Sequence, residues 1–218
     1  VISTFVRNDM IAQLRSKWIN LSSKYAEDEK ITITFWDEIL KHYTSNNRYY
    51  HNLYHIQNML LQAEEHKSVI EDFDVLVFSI WYHDIIYKST KKDNEEKSGL
   101  FAKKALKKLN IEEKRRENVQ KLIISTKKHQ IVLDNNQDNA FLLDFDLSIL
   151  GADWETYKNY THQIRKEYKI YPDFIYKLGR KKVLRHFLDR ETLYFTKAYR
   201  LKFEYQAREN LLKEIELL

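Results

Sequence analysis

V-L-V-F-S-I-W-Y-H-D-I-I-Y, Val75 to Tyr87, is the stretch whose reading decides the fold. Apolar and aromatic residues occupy every side of it, the pattern of a helix buried in a core rather than laid on a surface. Its extent as a helix is expected from about Asp72 to Ile86. Inside it stand the adjacent His83 and Asp84. A buried polar group without a partner costs about a few kcal/mol, and an unpaired charge more. The partner that an imidazole and a carboxylate share most readily is a metal ion.

Composition agrees with a helical chain. Among 218 residues there are three glycines and one proline, so turn punctuation is sparse and helix is the default. The length fits one domain over 1–218, with its core from about residue 18 to 151 and C-terminal helices of 152–218 packed on it. No cysteine is present, which removes disulfides and thiolate metal sites and fits a reducing, cytoplasmic setting. No signal peptide and no apolar run of membrane-spanning length is found. The net charge of +5 is interleaved with acids, the sign of a solvated mixed-charge surface that also suits an anionic substrate. No basic stripe with interleaved base-stacking aromatics is found, so nucleic acid is not the expected partner.

Outward from the central stretch, Ile11, Leu14, Trp18, Leu21 and Tyr25 mark a first amphipathic helix with Asn8 or Asp9 as its cap. Phe35, Ile39 and Tyr43 mark a second, from about Thr34 to Tyr43. In N-R-Y-Y-H-N-L-Y-H-I, from Asn47, His51 and His55 stand four apart at the start of a third helix, which puts both rings on one face. Taken alone, that spacing reads more plainly as two half-exposed helix histidines. Lys88 to Asn94 is a polar break with a lysine cluster, either a solvated loop or a rim that meets a phosphate. Helices follow from Glu95 and from about Ile111 to Lys127, the latter running into His129. After the polar connection of 130–139, A-F-L-L-D-F-D-L-S-I-L-G places Asp144 and Asp146 in a second apolar helix ended by Gly151. Two positions apart they point to nearly opposite sides, so one is expected to bind a metal and the other to support a neighbour. Two or three further helices complete the chain.

Together, His55, His83–Asp84 and Asp146 resemble the H…HD…D signature of the HD-domain superfamily of metal-dependent phosphohydrolases. W-Y-H-D-I-I-Y, D-N-E-E-K-S, D-F-D-L-S-I-L-G, I-R-K-E-Y and G-R-K-K-V-L-R-H-F-L resemble a bacterial subgroup of predicted HD phosphohydrolases, over about Trp18 to Glu214. The resemblance implies an all-α bundle of about eight to ten helices around a single core. It implies metal ligation by His55, His83, Asp84 and Asp146, with Asp144 as support for a neighbouring ligand. His51 matches an extra upstream histidine that acts on substrate or solvent, and His129 lies where some members place further histidines.

Two imidazoles and two carboxylates suit Mn, Fe, Co, Ni, Zn or Mg and leave positions open for water and a phosphate oxygen. Hydrolysis of a phosphoester or phosphoanhydride of a small metabolite, a nucleotide first, is the expected reaction. His51, Asp144 and His129 are candidate proton relays, and Asp84 is expected to be essential to catalysis as well as to metal binding. Arg48, Arg165 and Arg180 fall inside the resembling motifs and are candidate substrate contacts. The rivals are a non-catalytic HD-type module that binds a nucleotide or a partner, and a di-iron oxygenase on the same scaffold.

Overall fold

The computed structural model describes residues 4–133 and 137–218; residues 1–3, and 134–136 of the polar connection, lie outside the described residues. Trp18 anchors the first helices to the central one. It lies on α1 (Thr4–Ser22) and donates through Nε1 to the Thr32 carbonyl, 2.9 Å away, on α2 (Glu29–Tyr43). Its indole meets the rings of Phe78, Trp81 and Tyr82 edge-on, with centroids 5.9, 5.8 and 5.8 Å away. Edge-to-face packing of this kind adds about 0.5–1.5 kcal/mol per pair to the burial of the rings themselves.

The remaining elements are α3 (Leu53–Glu65), a 3₁₀ turn (Lys67–Val69), α4 (Phe73–Tyr82), α5 (Asn94–Lys108), α6 (Glu113–Ser125), α7 (Gln137–Leu147), a second 3₁₀ turn (Ser148–Gly151), α8 (Trp154–Glu167), α9 (Asp173–Leu188) and α10 (Lys197–Leu217). Among the described residues the protein is all-α, with ten α-helices and no strand. One hydrophobic cluster runs from Met10 to Leu211 and takes in α4 almost entirely. No described helix is long and apolar enough to cross a membrane.

Several boundaries differ from those the sequence predicts. Asn8 and Asp9 lie inside α1, which already starts at Thr4. α2 begins at Glu29, behind an Asp28 cap that accepts from the Lys30 amide, so it takes in the β-branched run before Thr34. Such residues are poor helix formers, yet Thr32 and Thr34 return their hydroxyls to the Glu29 and Lys30 carbonyls, and Thr32 is buried. Tertiary burial outweighs propensity there.

The central helix is shorter than expected: α4 stops at Tyr82, His83 is its C-cap, and Asp84 lies beyond it. No glycine or proline ends it. The Trp81 carbonyl is taken from outside by the Tyr43 hydroxyl at 3.1 Å, and just beyond the helix the carbonyls of Asp84 and Ile85 are taken by the Arg48 guanidinium at 2.7 and 2.8 Å.

Buried carboxylates set the starts of two helices. Asp138 of α7 accepts from the amides of Glu71 and Asp72, just before α4. Asp144 accepts from those of Phe195 and Thr196, just before α10. Gly151, expected as a helix terminator, is the last residue of the 3₁₀ turn after α7 and also marks a close approach: a Cβ there would lie 2.6 Å from the Phe203 Cβ and 2.8 Å from its carbonyl oxygen on α10. Gly151→Ala should therefore cost about 1–3 kcal/mol through overpacking, read as a lower melting temperature in thermal unfolding.

Candidate metal centre

Three elements bring the central histidines and acids together. Asn52 caps α3 by accepting from the Tyr54 amide, which directs the first turn of that helix, and buried His55, into the core. At the end of α4 the Nδ1 of His83 lies 2.9 Å from the Ile80 carbonyl. A carbonyl can only accept, so Nδ1 carries a hydrogen and Nε2 is the nitrogen left to meet a proton or a cation. That Nε2 faces the Nε2 of His55 at 3.2 Å. Asp84 Oδ2 lies 3.1 Å from the same His83 nitrogen. From α7, Asp146 Oδ1 lies 3.2 Å from His55 Nε2 and 3.9 Å from His83 Nε2. Ligand atoms of His55, His83 and Asp84 all fall within 4.8 Å of one another, a spacing that could hold a metal ion.

The helix break after Tyr82 is what allows this. Adjacent residues in a continuous helix point about 100° apart. Because Asp84 has left the helix, its carboxylate and the His83 ring share one side.

Without a cation the cluster is short of positive charge. Burial alone would depress the His83 imidazole, but the charge and hydrogen bond of Asp84, with the charge of Asp146, outweigh it and raise its pKa to about 9. For His55, burial dominates and lowers the pKa against the opposing pull of Asp146. Burial would raise both acids, yet the His83 charge beside Asp84, and the His129 and His55 hydrogen bonds to Asp146, hold both below the usual carboxylate range. The ligand atoms of His55, His83 and Asp84, with Asp146 beside them, could hold a divalent ion, which would supply the charge that a proton on His83 now supplies. The residues present fit the group.

His51 is not on α3; it precedes the helix in a turn, yet its ring still reaches the cluster, with Nε2 4.0 Å from Asp84 Oδ2. Its other nitrogen, Nδ1, lies 2.6 Å from Glu167 Oε2. Glu167 also accepts the amides of Tyr49, Tyr50 and His51 at 2.8, 2.8 and 3.0 Å, and the Tyr87 hydroxyl at 3.0 Å. Burial would depress the His51 imidazole; the Glu167 charge, helped by Asp84, raises it instead. His129 meets the second oxygen of Asp146, Nε2 to Oδ2 3.2 Å, from a backbone with φ of 46°.

Other sequence candidates are placed elsewhere. Asp144 turns away from the cluster to the amides before α10, and burial raises its pKa to about 6 against those bonds. Arg48 lies behind the site, its guanidinium spent on the carbonyls of His51, Asp84 and Ile85. Arg165 grips Asp173 and the carbonyls of Tyr168 and Tyr171 at the end of α8. Arg180 alone of the three faces the cavity beside the cluster, a space of about 430 Å³ between the metal residues and α8 and α9. No lysine of Lys88–Asn94 lines that cavity; the loop closes on itself through reciprocal bonds between Lys88 and Asn94.

Two residues escaped the sequence reading. Glu167 sits among the charges of α8, but tracing the buried face through Tyr157, Tyr160 and Ile164 leads to it in steps of three and four. Glu95, read only as the start of a helix, lines the cavity, and burial raises its carboxyl.

Comparison of the chain with protein-family models, curated proteins and solved structures gives no match. The site is therefore judged on its geometry. Added Mn²⁺, Co²⁺ or Zn²⁺ should raise the melting temperature, by the equivalent of about 2.7 kcal/mol at a hundredfold excess over Kd. His83→Ala and Asp146→Ala should lose that rise. Asp144→Asn should melt lower with or without metal and keep it, a contrast that calorimetry reads directly.

Proposed function

We propose that the protein is a metal-dependent phosphohydrolase acting on a small phosphorylated metabolite. The observation that carries this reading is the convergence of His55, His83, Asp84 and Asp146 beside an open cavity, with His51 held over Asp84 by Glu167. The motif order that resembles the HD-domain superfamily supports it further.

In this reading the two imidazoles and two carboxylates would hold one divalent ion. Such an ion lowers the pKa of a bound water and polarises a phosphoryl oxygen. Everything else is done by the chain. Glu167 fixes the His51 tautomer with hydrogen on Nδ1, so Nε2 is the atom that exchanges a proton within the site. His51 then delivers a proton from Nε2 to the departing oxygen, while Arg48 keeps the backbone of His51 and Asp84 in place from behind. Tyr87, bonded to the same Glu167 oxygen, lies against the His51 ring at 4.3 Å and limits its rotation. His129 steadies Asp146. Arg180 lines the cavity with its guanidinium held by Glu214, and α8 and α9 close the far side.

The test is turnover by metal-loaded protein across phosphomonoesters, phosphodiesters and phosphoanhydrides. Asp84→Ala should abolish it, and His51→Ala should lower kcat by about 10²–10⁴ with metal retained. Glu167→Gln keeps an oxygen for the amides but loses the charge behind His51. It should lower kcat, leave KM little changed and shift the pH profile toward acid. Bound metal with no turnover on any phosphate would leave the binding-module reading in its place.

A further inference from the structure

The cavity beside the cluster has an unusual wall for a phosphate site. Tyr50, Tyr160, Tyr168, Tyr171 and Tyr176 face it, with aliphatic side chains from the 3₁₀ turn after α7 and from α8 and α9 between them. Among its described lining residues Arg180 is the only lysine or arginine. That guanidinium is already engaged: Nε and Nη2 donate to the two oxygens of buried Glu214 at 2.7 and 3.0 Å. Three carboxylates, Asp84, Asp146 and Glu95, line the same space. One dianionic phosphate can be balanced at the metal cluster. A chain of phosphates would carry further negative charge past these carboxylates, along an aromatic wall that offers it no free lysine or arginine.

One lining residue has no side chain. Gly179 interrupts α9, where a glycine costs about 1 kcal/mol relative to alanine. Its φ is not positive, and a Cβ built on it meets nothing within 4 Å. Neither backbone conformation nor packing asks for glycine there. What its absent side chain leaves is room on the cavity wall, next to Tyr176.

We infer that the site takes a monophosphate ester whose alcohol part carries a planar aromatic or heteroaromatic ring, seated among these tyrosines and over Gly179. The inference rests on the hydrolase reading for the phosphate end of the ligand; the ring end stands on the wall alone. In the reaction water forms a new P–O bond, the bond from phosphorus to the ester oxygen breaks, and that oxygen leaves as the alcohol with the proton from His51, which one proton of the water replaces. Inorganic phosphate retains the other. No oxidant or second substrate enters.

Two measurements on the metal-loaded full chain test it. In calorimetry, phenylphosphonate should bind at least about tenfold tighter than methylphosphonate, the worth of one stacked ring, and tighter than tripolyphosphate. In turnover, kcat/KM for naphthyl phosphate and a nucleoside monophosphate should exceed those for glycerol phosphate and for a nucleoside triphosphate; the two ring compounds tell an aryl from a nucleobase preference. Gly179→Leu, which fills open space and improves a helix, should melt no lower than the parent yet cut the ring-to-ringless ratio about tenfold in both measurements. Turnover with no ring preference, or with triphosphate preferred, overturns the ligand class and keeps the hydrolase. Ring-selective binding without turnover keeps the ligand class and sinks the hydrolase. An unchanged ratio in Gly179→Leu overturns the role of the open wall.

Discussion

The Glu167 carboxylate is the interaction on which the site most depends. One oxygen gathers three consecutive amides, Tyr49 to His51, and the other takes the His51 ring and the Tyr87 hydroxyl. These are charge-assisted bonds in a buried setting, each stronger than a neutral one. They fasten the turn that enters α3 to the last residue of α8, far away in the chain. The direction of α3, and with it the position of His55, follows from that attachment. Burial alone would make the carboxylate easier to protonate, and the His51 charge and the amides reverse the shift.

The same device recurs where the fold needs a chain segment held without helix or strand. Asp138 holds the residues before α4, and Asp144 those before α10. Glu204 receives the Leu193 and Tyr194 amides in the same way. With so little glycine and proline, turns are fixed by distant acids instead of by local turn chemistry. A buried acid in this chain is thus more often a receptor for backbone than a catalytic group, and Asp146 stands apart from Asp144 because its partners are imidazoles.

That distinction explains what was legible in the sequence. The all-α class followed from composition and periodicity, and His83, Asp84 and Asp146 stood out because they interrupt apolar runs. Asp144 interrupts the same run equally, and nothing local separates a carboxylate facing amides from one facing histidines. Glu167 was hidden for the opposite reason, as one charge among many on α8. The end of α4 at Tyr82 was not readable either, since its terminators, Tyr43 and Arg48, lie a helix and more away in the chain. Site arginines were over-read: a guanidinium is as well suited to carbonyls and carboxylates as to phosphate, and Arg48 and Arg165 are used so.

The attachment of Tyr49, Tyr50 and His51 to Glu167 also decides how that turn breathes. Amides in an irregular connection ordinarily exchange their hydrogens with water through small local fluctuations. Here the acceptor is the last residue of α8, more than a hundred residues along the chain, so the three hydrogens are tied to the contact between α8 and the entrance to α3. A short turn without regular structure should thereby exchange its amides more slowly than its irregular backbone implies, and loss of that protection would mark release of the turn from α8.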